Sequence, residues 1–160
     1  GGMAVTKNEY AERITALQPR LFKTALIYTG SEYAADEILA ETIYKGLKNI
    51  KKLKNDDAFD GWIKRVLINE CHTAYRYGKK FQCVDELHET ATENFDALPL
   101  KDALSRLPKN LKDVVLIKYF WGCTIFETSK ILNISQGTAA TRLRKALELL
   151  KLDLGEGEKI

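Results

Sequence analysis

Proline and glycine are scarce in this chain, 3 and 10 of 160 residues, and no stretch alternates apolar with polar residues at a period of two. Both absences argue against strands and predict an all-α protein. No apolar run approaches the ~20 residues of a bilayer-crossing helix, so no membrane insertion is expected. No secretory signal opens the sequence, and Gly1 and Gly2 ahead of Met3 read as the remnant of a removed tag. The cysteines Cys71, Cys83 and Cys123 are odd in number and lack paired spacing, which points to a reducing, cytoplasmic setting. With His72 and His88 they repeat no zinc pattern, so neither a metal nor a cofactor is expected. Glycine-rich phosphate loops, a nucleophile elbow and a recognisable carboxylate pair are all missing, so the chain is not expected to be an enzyme.

What is present is an ordinary globular composition, 45% hydrophobic and 29% charged, enough for a core. The net charge of +3 is unevenly spread. Residues 1–80 carry 14 Lys/Arg against 10 Asp/Glu, residues 81–98 carry none against 5, and residues 99–160 carry 11 against 7. Two basic modules thus flank an acidic connector that lacks periodicity and reads as a flexible linker. The expected organisation is two small helical domains, residues 3–80 and 99–154, joined by 81–98. Basic modules suit a polyanionic partner, although so small an excess also fits a merely solvated surface.

In the first module, Thr6 and Glu9 have capping-box spacing. A helix is predicted from there to about Leu17, and a second from Pro19, placed in its first turn, to Thr29. Gly30 ends it and Ser31 caps the third helix, whose buried stripe is Ile38, Leu39, Ile43 and Leu47. Asp36, Glu37 and Glu41 make an acidic face near its front, read either as helix-dipole stabilisation or as a docking face for a basic partner. A loop at 50–57 carries Lys51, Lys52, Lys54, Asn55, Asp56 and Asp57. The fourth helix follows, with Phe59, Trp62, Ile63, Val66, Leu67 and Ile68 apolar and Asn69 among them. Its end interleaves Tyr75, Arg76, Tyr77, Lys79 and Lys80, and such mixtures suit single-stranded nucleic acid, with bases on rings and cations on phosphates. Phe59 and Trp62 at helical spacing are more often core, so Trp62 is read mostly as core and the nucleic-acid reading is kept for the loop and the helix's exposed face.

In the second module, a short helix at 100–107 breaks before Pro108 and another spans 109–120. Thr124–Leu150, TIFETSKILNISQGTAATRLRKALELL, then reads as two helices and a tight turn. Asn133 tolerates the left-handed conformation past a helix end, and Ser135 can cap the next helix. Ala139, Leu143, Ala146, Leu147 and Leu150 form that helix's buried stripe. Gln136, Thr138, Thr141, Arg142 and Lys145 lie outside or beside it. This is helix-turn-helix spacing, with a second helix fit for a DNA major groove. A plain helical hairpin with a solvated polar face has the same spacing.

Three motifs in order resemble the extracytoplasmic-function (ECF) branch of bacterial RNA polymerase sigma factors. AADEILAETIYKGLKNI is similar to the family's DAEDLVQETFLRAYKNL. AFDGWIKRVLINECHTAYR is similar to FRGWLYRIARNLCIDYLR. The segment from Ala103 to Leu150 resembles the family's pattern of LP, GxSyxEIA and GISxGTVKSR motifs. The resemblance implies a specificity subunit for core RNA polymerase that recognises promoter DNA, with an anti-sigma factor as a further partner. Asp36, Glu37, Glu41 and Thr42 would dock on polymerase. Lys54, Asn55, Asp56, Phe59, Asn69 and Arg76 would engage the melted −10 strand, with a flipped base held in a loop pocket. Ser135, Gln136, Thr138, Thr141, Arg142 and Lys145 would face the −35 duplex. The family's EIA is Glu127-Thr128-Ser129 here, and its TVKSR is Thr138-Ala139-Ala140-Thr141-Arg142, one basic residue fewer. The rival reading is a two-module regulator that binds DNA without polymerase.

Overall fold

The computed structural model describes residues 5–53, 56–77 and 98–154. The expected linker, apart from Leu98, and the expected frayed end at Glu156–Ile160 lie outside the described residues, as do Lys54 and Asn55. All regular structure among the described residues is helical: α1 (Lys7–Thr29), α2 (Glu32–Asn49), α3 (Phe59–Tyr77), α4 (Leu98–Arg106), α5 (Lys109–Val115), α6 (Ile125–Leu132) and α7 (Gln136–Leu154), with short 3-10 and π turns between them. The chain divides into two compact units, within residues 1–83 and 84–160.

In the first unit α1, α2 and α3 pack on one another. Two helices were expected where α1 stands as one, with Pro19 inside it. An interior proline forfeits a backbone bond and crowds the preceding turn. Here Pro19 is exposed, as is Thr15, the residue whose carbonyl Pro19 cannot bond. Tyr10, Ile14, Leu21, Thr24 and Tyr28 are all buried. Their spacing of three, four and seven keeps one face on the core across the proline, so burial on both sides outweighs the local penalty. The N-terminus carries the expected capping box. The Glu9 amide donates to Thr6 Oγ1 at 3.1 Å, and the Thr6 amide donates to Glu9 Oε1 at 3.0 Å. Gly30, at φ 76°, ends the helix in the left-handed region that glycine enters freely. Ser31 caps α2 by accepting from the Ala34 amide at 3.2 Å.

Helix α2 turns Ala35, Ile38, Leu39, Thr42 and Gly46 inward. Leu47, expected in that stripe, is 39% exposed. Gly46 holds the inward position because Tyr10 lies across it, its hydroxyl donating to the Ile43 carbonyl at 2.7 Å. Burial pushes the Tyr10 hydroxyl up to about 12. A Cβ on Gly46 would collide with that hydroxyl and meet Ile63 Cδ1 at 3.1 Å. Gly46→Ala is therefore expected to destabilise the unit by about 1–3 kcal/mol, measured as a lower urea midpoint. Lys45 joins α2 to α3 through Glu70 at 2.7 Å. The Glu70 hydrogen bond raises the Lys45 ammonium above its usual value, against the cost of desolvation and with help from the charges of Glu70 and Glu41.

In the second unit α7 packs against α4, α5 and α6. Pro108 separates α4 from α5, and the buried Lys112 reaches back to the Ser105 carbonyl at 3.3 Å. The helix expected over 109–120 is α at its start, then widens into a π turn at Leu116–Phe120, where the Trp121 amide bonds the Leu116 carbonyl at 3.0 Å. Gly122, at φ 71°, then turns the chain into α6.

Candidate promoter-binding and polymerase-docking surfaces

The helix-turn-helix is built from local hydrogen bonds at each end. Thr124 and Glu127 form a reciprocal box at 2.9 and 3.0 Å, a cap that the sequence reading did not single out. Asn133 takes φ 60°, ψ 48°. The Ile134 amide returns to the Ser129 carbonyl at 2.9 Å, closing the α6 terminus. Ser135 Oγ accepts from the Thr138 amide and bonds the Thr138 hydroxyl, both at 3.0 Å. Thr128 and Ser129, where the family pattern is apolar, are buried. Their hydroxyls donate to the Thr124 and Phe126 carbonyls at 2.8 and 2.7 Å. Satisfied within the helix, they cost the close α6–α7 contact little.

Among the residues expected at the −35 duplex, Gln136, Thr141 and Lys145 are exposed on α7. Ser135 is exposed but engaged as the cap, and Thr138 is half-buried beside it. Arg142 is half-buried, to the side of the face. Arg144, which the sequence reading passed over, is exposed. The signal for it was available: the positions of Ala139, Ala146 and Leu150 fix which side of α7 looks outward.

On α2, Asp36, Glu37 and Glu41 are exposed together. Thr42 is not with them: it is 0% exposed and its hydroxyl donates to the Ile38 carbonyl at 2.8 Å. One residue further along a helix is about 100° further round, which carries Thr42 into the core. The acidic face has apolar neighbours that charge patterning did not reveal, with Tyr33 71%, Tyr44 56% and Leu47 39% exposed. Glu37 accepts a hydrogen bond from Tyr33, and this, more than its charge, raises the Tyr33 hydroxyl above its usual value. An acidic surface studded with exposed rings is one a protein partner can use.

The expected −10 residues separate. Phe59 is 0% exposed. It lies edge-on to Tyr10, with centroids 5.9 Å apart, and under the Arg13 guanidinium at 5.2 Å. It is core, and the strand would reach it only by opening the unit. Asn69 is exposed on α3, its carbonyl taken by the Thr73 hydroxyl at 3.0 Å. Lys51 and Lys52 are exposed on the 3-10 turn after α2. Asp56 opens the next 3-10 turn and Arg76 lies near the end of α3; the side chains of both are outside the described residues. Among the described residues no group of His, Cys, Asp and Glu could hold a metal, and Cys71 and Cys123 are buried.

Among the described residues, a three-helix unit with an acidic outer face is followed by a four-helix unit ending in a helix-turn-helix, the architecture of a modular helical protein. Residues 13–81 match sigma-70 region 2, and residues 97–150 match sigma-70 region 4. The chain is 24% identical over 146 residues to RNA polymerase sigma factor SigV of Bacillus subtilis, with 88% of each chain covered. It is 23% identical over 141 residues to ECF RNA polymerase sigma factor SigM of Mycobacterium tuberculosis, covering 85% of this chain and 72% of the relative. By fold it is similar to RpoE of Bartonella quintana, solved with the anti-sigma factor NepR, at a TM-score of 0.77 and 17% identity over 94% of this chain and 99% of the other. CnrH, solved with the cytosolic domain of CnrY, gives 0.74 at 15% identity, covering 96% and 92%. The chain belongs to the sigma-70 family, in its ECF branch. It is a transcription initiation factor.

Proposed function

We propose that this sigma factor divides its work among three surfaces. The exposed carboxylates of α2, Asp36, Glu37 and Glu41, dock on core polymerase. The turns between α2 and α3, with Asn69 and Arg76 on α3, engage the melted −10 strand, where cations follow phosphates and a base leaves the stack. The outward side of α7 faces the −35 duplex. Thr42 and Phe59 act from inside, holding α2 and α3 in register, and are not contacts. The observation that carries this reading is the coincidence of an exposed acidic face in the region 2 unit with an exposed, partly basic recognition helix in the region 4 unit.

The protein works in the cytoplasm and contributes no catalytic group; bond formation belongs to polymerase. None of its described helices is long and apolar enough to cross a membrane. A protein that plays toward it the part NepR plays toward RpoE is a fitting regulator, and the exposed rings beside the α2 carboxylates are a place for it to bind. The test is equilibrium binding to promoter duplexes with and without core polymerase. Sequence-specific binding that needs the core is expected. Equal specificity from the chain alone would favour a polymerase-independent regulator.

A further inference from the structure

The sequence pattern singles out Arg142 and Lys145 as the cations of the recognition helix. The folded helix points elsewhere. Viewed down α7 at about 100° per residue, Ala139, Ala146 and Leu150 mark one line, and all are buried. The opposite line runs through Gly137, Thr141, Arg144 and Glu148, and all four are exposed. Arg142 and Leu143 flank the buried line and are half-buried. Arg144 is thus the cation nearest the outward line, and it pairs with no acid among the described residues.

Two neighbours on the same line bear on what it meets. Gly137 sits two turns before Arg144, and a Cβ there would find nothing nearer than Ser135 Oγ at 4.0 Å. The unit's own packing does not require glycine, which costs a helix about 1 kcal/mol relative to alanine. A bare backbone at that point suits the close approach of another molecule. Glu148, one turn beyond Arg144, would be repelled by phosphates, so the approach is confined to the N-terminal half of α7, from Gly137 to Arg144. Helix-turn-helix proteins read bases from that end of the recognition helix.

We infer that Arg144 reads a base of the −35 element, a guanine through its O6 and N7 acceptors, while Arg142 contacts the backbone from the side. The guanidinium fork matches that pair of acceptors. The inference rests on the proposed −35 role of α7. It assigns to an arginine outside the family's TVKSR segment the sequence preference that this segment, short of one basic residue here, carries less of.

The test is selection of bound duplexes from a randomised upstream library by polymerase holoenzyme containing the full chain. With the unaltered protein a motif containing guanine is expected. Arg144→Ala should relax one guanine position by about tenfold or more and leave the others. Arg144→Gln should move that position toward adenine, since an amide fits adenine's donor and acceptor. Arg142→Ala should weaken every sequence alike, preserve the motif, and leave the helical circular dichroism unchanged. An unchanged motif with both Arg144 variants, or uniform weakening, overturns the inference. If the unaltered holoenzyme selects no motif, the −35 reading of α7 itself falls.

Discussion

Reversing two charges on α2, Asp36→Lys with Glu37→Lys, is expected to lower affinity for core RNA polymerase by about 100-fold or more, because under the proposed docking two attractions become repulsions. The fold should survive. Both residues are exposed, outside the buried side formed by Ala35, Ile38, Leu39 and Thr42. The acids gain little from the helix dipole, whose effect fades beyond the first turn, so at most about 1 kcal/mol of stability is at stake. Titration of labelled protein with core polymerase measures the loss, and added salt should narrow the gap between variant and parent. Unchanged affinity at low salt would remove the docking assignment and leave the carboxylates as solubilising charges.

Phe59→Ala is expected to destabilise the first unit by about 3–5 kcal/mol, the usual cost of emptying a core aromatic site. Phe59 has no exposed surface, and its ring lies between Tyr10, Trp62 and the Arg13 guanidinium. Removing it leaves three elements facing a void: the start of α1, the start of α3 and, through Tyr10, the inward side of α2. Thermal and urea unfolding should both register the change, and Phe59→Leu should recover part of the loss. A variant of native stability that binds polymerase yet no longer opens promoters would return Phe59 to the list of DNA contacts.

The difference between Phe59 and Asp36 shows where the sequence was readable. Helix ends were legible because their chemistry is local: Thr6 with Glu9, Ser31, Gly30, Asn133 and Ser135 each act within a few residues of themselves. The helix-turn-helix was legible for the same reason. Pro19 misled, because its local preference to start a helix was overridden by a buried face shared across five turns of α1. Thr42 and Phe59 are buried where the resemblance implies contacts, because a resemblance carries over positions, and whether a side chain points in or out depends on neighbours distant in sequence. Tyr10, the residue that excludes a side chain at position 46, lies more than thirty positions upstream. Arg144 was hidden only by attention to the motif; the buried alanines of α7 already define its face. The apolar partners of the acidic surface, Tyr33 and Tyr44, were not, because their spacing also fits a helix covered on that side.

The most direct test of the central claim is run-off transcription with purified core polymerase from a related bacterium, with and without this protein, on pooled genomic promoter fragments. Discrete start sites that depend on the protein are predicted, preceded by a shared pair of upstream elements. No new start sites, together with no binding to core polymerase, would contradict the account.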